Sequence, residues 1–174
     1  MTSPFMAALP FSIIVKSAQA YSAVDEQRDI FESHRHRIFS VAYYMTGDER
    51  EAESILSTIF VRGFQESSRP SAVKLDQILI EELRGRLSLD PVPEMPPSNI
   101  PGLGARNVRR TDLEEALWQV PARERLCFLL RDVEGYMPAA IAELLKIPES
   151  DVQRTLLSAR IRMRSLLIEQ RMSA

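Results

Sequence analysis

Apolar positions recur at steps of three and four along most of the chain, and each recurrence ends at a glycine, a proline or a short polar run. Ile30, Phe31, Ile38, Val41, Ala42 and Met45 mark one helix that stops at Thr46-Gly47-Asp48. Ala52, Ile55, Ile59 and Phe60 mark a second, within Glu51 to Phe64, and Leu75, Ile78, Leu79, Leu83 and Leu87 mark a third after Pro70, over about 72–87. Towards the C-terminus Val120, Leu126, Leu129, Leu130 and Val133 keep helical spacing until Gly135, a residue suited to the left-handed conformation that closes a helix. A short helix follows. Pro138 fits its first turn, where a missing N–H costs nothing, and Ile141, Leu144 and Leu145 supply its apolar face.

Lys146-Ile147-Pro148-Glu149-Ser150 reads as a stop and a restart, with Ser150 or Glu149 serving the free N–H groups of the next helix. There Val152, Leu156, Ala159, Met163 and Leu166 form the inward stripe. Gln153, Arg154, Thr155, Arg160, Arg162 and Arg164 are left for other faces. Helix, turn, short helix, tight turn and longer helix make a helix-turn-helix over 123–167, and the last helix has the size that enters a DNA major groove. An apolar stripe alone means only core, and three-helix units also bind proteins, so the polar face carries the DNA reading.

Composition agrees with an all-α chain. Aromatics make up 7% of 174 residues, hydrophobic residues 45%, and no segment alternates β-branched residues as a strand would. Between the two periodic regions, 90–104 holds five prolines and two glycines, too many for regular structure, and predicts an extended, partly stiff linker. The expected organisation is an N-terminal extension (1–24), a helical domain (25–89), a Pro/Gly-rich linker (90–111) and the helix-turn-helix domain (112–174). Residues 25–90 carry 9 Lys and Arg against 13 Asp and Glu, whereas 106–174 carry 12 against 10, so the halves differ in sign although the whole chain is only −2.

Candidate chemistry is sparse. Cys127 stands in an apolar run and cannot pair with a second cysteine, which predicts a buried, inert thiol and suits a reducing cytoplasm. His34 and His36, two apart, fall on different sides of a helix and are poor joint metal ligands. No nucleophile triad or phosphate loop is present, so neither catalysis, nor a metal, nor a cofactor is expected, and Gly102-Leu103-Gly104 lacks the strand and helix a nucleotide loop requires. Phe5 to Val15 is apolar and Ala18-Gln19-Ala20 resembles a cleavage site, but Pro4 and Pro10 and the absence of a preceding basic residue argue against a leader. No stretch is long enough to cross a bilayer as a helix.

The order of fragments carries a resemblance. Phe39 to Asp48, Glu51-Ala52-Glu53, Ile59 to Arg62, the Pro-rich linker, Leu113 to Pro121, Arg123-Glu124-Arg125, Val133 to Tyr136, Ile141-Ala142, Ile147-Pro148, Val152 and Ala159-Arg160 together resemble the extracytoplasmic-function group of bacterial sigma factors over about 27–168. That resemblance implies two helical domains that bind core RNA polymerase and promoter DNA, the second reading an upstream element, with an anti-sigma factor as a possible further partner. By the resemblance, Glu53, Ser54, Ser57 and Arg62 fall where the polymerase is bound, and Arg84 and Arg86 where the first domain meets DNA. Ser150, Gln153, Arg154, Thr155, Arg160 and Arg162 fall at the second DNA contact.

Departures from the family pattern are specific. Ser54 and Ser57 stand where an Asp and a Gln are usual, removing a charge-assisted contact, and Glu81 and Glu82 bring repulsion towards phosphates. Asp151 near the groove could accept from a cytosine amino group, and Ala140 replaces a usual Glu. Three readings follow: an alternative sigma factor, a sigma-like interaction protein that binds an anti-sigma factor or regulator without efficient initiation, and a DNA-binding regulator that uses its C-terminal domain alone. Residues 1–24, with Phe5, Phe11, Ile13 and Ile14, are read either as a docked inhibitor or as disordered.

Overall fold

A computed structural model describes residues 11–91 and 108–172, with side chains from 23 to 91 and from 108 to 170. The described residues are helical and contain no strand. In the N-terminal half, α1 spans Phe11–Thr46, α2 Glu49–Glu66 and α3 Ala72–Arg86. In the C-terminal half, α4 spans Arg110–Gln119, α5 Ala122–Phe128 with a widened π turn over Leu129–Val133, α6 Pro138–Leu145 and α7 Glu149–Met172. Helix α1 runs unbroken through the expected boundary at residue 24. The N-terminal residues 1–10, the side chains of Phe11, Ile13 and Ile14, and linker residues 92–107, with Gly102 and Gly104, lie outside the described set.

Local chemistry sets the helix ends. Gly47 takes φ 74 after α1, and the Asp48 carboxylate then accepts from the Glu51 N–H at 2.9 Å, capping α2. Ser71 does the same for α3, accepting from the Lys74 N–H at 3.2 Å. The carboxylate of Asp112 reaches back to the Arg109 N–H at 3.2 Å to start α4.

Helix α1 lies against α2 and α3, burying Ile38, Val41, Ala42 and Met45 with Ala52, Ile55, Ile59, Leu75, Ile78, Leu79 and Leu83. Gly63 permits the close approach of α2 to α3, because a Cβ there would stand 2.8 Å from Leu75 Cδ2. In the other half, α7 packs on α4, α5 and α6 through Val152, Leu156, Ala159, Met163 and Leu167. Leu167 is the fully inward residue of the last turn and Leu166 is half-buried, a one-residue rotation from the expected stripe. Ala116, Leu117, Val120, Leu126 and Leu130 join the same apolar cluster as α1 to α3, so the two halves share one core.

Candidate nucleic-acid interface

The helix-turn-helix is built by backbone devices that the sequence announces. After the π turn the Glu134 N–H donates to the Leu129 carbonyl at 2.9 Å and Tyr136 N–H to Leu130 at 2.8 Å, while Gly135 takes φ 78. A side chain is strained at that φ, which is why the turn falls on glycine. Pro138 occupies the first turn of α6. Helix α7 then opens on the Pro148 carbonyl, which accepts from the Asp151 and Val152 N–H groups at 3.0 and 3.2 Å. Glu149 and Asp151 lie in that first turn, where carboxylates complement unpaired N–H groups.

With the apolar stripe inward, α7 turns Ser150, Gln153, Arg154, Leu157, Arg160 and Arg164 outward at steps of three and four. Gln153 donates to Glu149 at 3.2 Å, and Arg154 pairs with Asp151 at 2.6 Å, an exposed contact that water can replace. Thr155 is half-buried at the edge of this face. Arg160 forms a bidentate pair with Asp132 at 2.6 and 3.0 Å, tying α7 to the π turn, and this hydrogen bonding raises its pKa above the ordinary arginine value. Arg162 points the other way. Its Nε donates to Glu124 at 2.9 Å, and the hydroxyl of Ser158 donates to the same carboxylate at 2.8 Å. Glu124 is only 4% exposed, so Arg162 and Ser158 serve to fasten α7 to α5. Leu157, which the sequence reading passed over, is 54% exposed in the centre of the outward stripe. A large apolar side chain there fits contact with a thymine methyl group. Its position one step off the inward stripe was the available signal.

On the N-terminal half, Glu53, Ser54 and Ser57 share the outward face of α2 with Val61, which is 56% exposed. Arg62 lies at the edge of that face and donates to Glu81 and Glu82 of α3, both at 2.8 Å, so the two acids hold its guanidinium and raise its pKa. Arg84 and Arg86 project from the last turn of α3, and not from the α7 face. Arg84 donates to the Leu145 carbonyl of α6 at 2.5 Å, and Arg86 to Glu51 at 3.3 Å.

Several contacts close the junction of the halves. Tyr136, in the turn before α6, donates its hydroxyl to Asp76 of α3 at 2.5 Å, and Arg37 of α1 donates to both Asp76 and the Tyr136 oxygen. Asp76 is 3% exposed, so this carboxylate binds three elements from two halves where water is scarce. Burial, and then the bond to Asp76, push the Tyr136 hydroxyl well above the usual phenol range, leaving it a proton donor. Trp118 meets Tyr43 edge-on at 6.1 Å, and Arg125 donates to the Tyr44 carbonyl at 3.4 Å. Burial also pushes the Cys127 thiol up to about 12, which keeps it protonated and unreactive. Among the described residues no group of His, Cys, Asp and Glu could hold a metal ion.

Residues 110–163 match the family described as Sigma-70, region 4. The C-terminal half is thus similar to a sigma-70 region 4 domain from the start of α4 as far as Met163 in α7, and a helix-turn-helix is present in the fold. The outward stripe of α7 lies within that match up to Arg160. No curated protein matches the chain. No described helix is long and apolar enough to cross a membrane.

Proposed function

We propose that this chain is an alternative sigma factor of the extracytoplasmic-function group that binds core RNA polymerase in the cytoplasm and directs initiation at its own promoters. The observation that carries the reading is the outward stripe of α7, which presents Gln153, Arg154, Leu157 and Arg160 while the opposite stripe holds the helix on its domain. Arg154 takes the base contact by exchanging Asp151 for a bidentate acceptor such as a guanine edge. Arg160 and Arg164 approach phosphates, and Leu157 packs on a thymine methyl. The polymerase face is the outward side of α2, with Glu53, Ser54, Ser57 and Val61 central and Arg62 at its margin.

One observation favours a second reading. Arg62 is neutralised by two acids, and Ser54 and Ser57 are short neutral groups, which suits a sigma-like protein that engages an anti-sigma factor or regulator more tightly than polymerase. Titration of the purified chain into core RNA polymerase, followed by transcription from selected promoter DNA, separates the two. Nanomolar association with promoter-specific transcripts is the expected result. Absence of association overturns the first reading and leaves the second.

A further inference from the structure

A groove of about 590 Å³ runs along the junction of the two halves, its polar lining made of Arg84 and Arg86 at the end of α3, Ser88 and Asp90 just after it, and Arg123 and Lys146 from the C-terminal half. Four of these six side chains are cationic and one is acidic. Arg84 spends one N–H on the neutral Leu145 carbonyl, so its charge has no carboxylate partner among the described residues, and neither have those of Arg123 and Lys146. Arg86 is shared by Glu51 at 3.3 Å and Glu82 at 3.7 Å, long contacts at an exposed site. Asp90 is engaged by the Ser88 hydroxyl at 2.5 Å. Like charges converging from three elements repel one another, and such an arrangement is relieved by an anion.

The backbone adds an independent sign. Lys146 sits at φ 55 and ψ 47, the left-handed conformation at the end of α6, and it is the one non-glycine with positive φ among the described residues. Glycine is the easy residue at such a helix end, as at Gly47 and Gly135, and a lysine there brings a charge to the groove wall. The Leu145 carbonyl that precedes it is held by Arg84, so the lysine backbone is fixed from the opposite half.

We propose that this groove is a phosphate-binding track for a nucleic-acid backbone, formed by both halves together, in which Arg123 and Lys146 complete the row begun by Arg84 and Arg86. Its open form suits a chain passing through, and its ligand is a run of phosphodiesters recognised by charge without regard to base. The track rests on the nucleic-acid side of the proposed function and is independent of polymerase docking and of base reading by α7.

The test is the salt dependence of binding to a fluorescein-labelled oligothymidylate, whose uniform sequence offers α7 nothing to select. Each phosphate contact on a single strand contributes a slope of about 0.7 in the plot of log K against log salt. Replacing Arg123→Gln together with Lys146→Gln is expected to lower that slope by about 1.4. Replacing Arg28→Gln with Lys74→Gln changes net charge equally at exposed positions away from the groove and leaves the slope as in the parent chain. Circular dichroism and thermal melting confirm that both variants are folded. Equal slopes for the two double variants overturn the track. Inorganic tripolyphosphate, titrated alone, tests the ligand's source: saturable binding of tripolyphosphate that the Arg123 and Lys146 variant loses, with oligothymidylate binding unaffected, overturns the nucleic-acid assignment.

Discussion

Two buried carboxylates in this molecule do opposite jobs. Glu124 is met by Ser158 and Arg162, both from α7, and the whole cluster lies inside the C-terminal half. Asp76 is met by Arg37 from its own half and by Tyr136 from the other. Both are nearly inaccessible to water, so each depends on its partners for the hydration it has lost. The difference lies in what each connects. The Glu124 cluster adds a polar tie between α7 and α5 within one half, whereas the Asp76 cluster adds one between the two halves.

The largest effect is expected at the first centre. Glu124→Ala removes the acceptor that Arg162 Nε and the Ser158 hydroxyl share and should cost about 3–5 kcal/mol of stability, read from urea unfolding, with weaker DNA binding as the seating of α7 on α5 loosens. Asp76→Ala should cost less, about 2–3 kcal/mol, because the Arg37 guanidinium keeps the Tyr136 oxygen as an acceptor. Its distinctive result is a longer distance between dyes placed on α2 and α7, with specific DNA binding by α7 retained. If both variants lose DNA affinity equally, the division of labour between the two carboxylates is wrong.

Smaller changes sharpen the contrast. Arg154→Ala touches neither centre and should leave stability within about 0.5 kcal/mol while removing about 1–3 kcal/mol of affinity for the best selected promoter DNA. Equal affinity of parent and variant on that DNA removes Arg154 from base reading. Tyr136→Phe keeps the Arg37 and Asp76 pair and deletes the two hydrogen bonds that the hydroxyl makes to it, so about 1–2 kcal/mol of stability should go, with partial opening of the halves.

The smallest effect is the pH response of His34 beside the Asp76 cluster. Burial, and then the Arg37 charge, lower the His34 pKa, while Asp76 opposes them. The folded chain therefore holds this proton less readily than the unfolded chain, and the contribution to stability present above about pH 6.5 is lost as pH falls through the folded value. In Asp76→Ala the opposing charge is gone, so the imidazole should titrate at still lower pH in an NMR titration. An unchanged titration would show that His34 does not sense this cluster.

Legibility divides along the range of the interactions. The stops at Gly47 and Gly135, the helical start at Pro138 and the inward residues Val152, Leu156, Ala159 and Met163 were readable, because helix period and turn chemistry act over a few residues. The roles of the arginines were not. Arg162 and Arg160 are two residues apart, yet one faces buried Glu124 and the other faces outward towards Asp132, partners 38 and 28 positions away. Arg62 looked like a contact for a partner and is held by Glu81 and Glu82, which looked like obstacles to DNA. Tyr136 read only as part of a turn, although its hydroxyl reaches a carboxylate 60 positions earlier.

The sequence by itself determined that the described residues are helical, that a helix-turn-helix stands in the C-terminal half, and which stripe of the last helix faces inward. These follow from steric and hydrophobic rules that every short segment obeys locally. Only the tertiary structure decided which cations are spent on internal carboxylates and which converge with their charge uncompensated, because ion pairs form between elements that packing brings together. Arg84, Arg123 and Lys146 are far apart along the chain and border one groove solely because α3 and α6 meet.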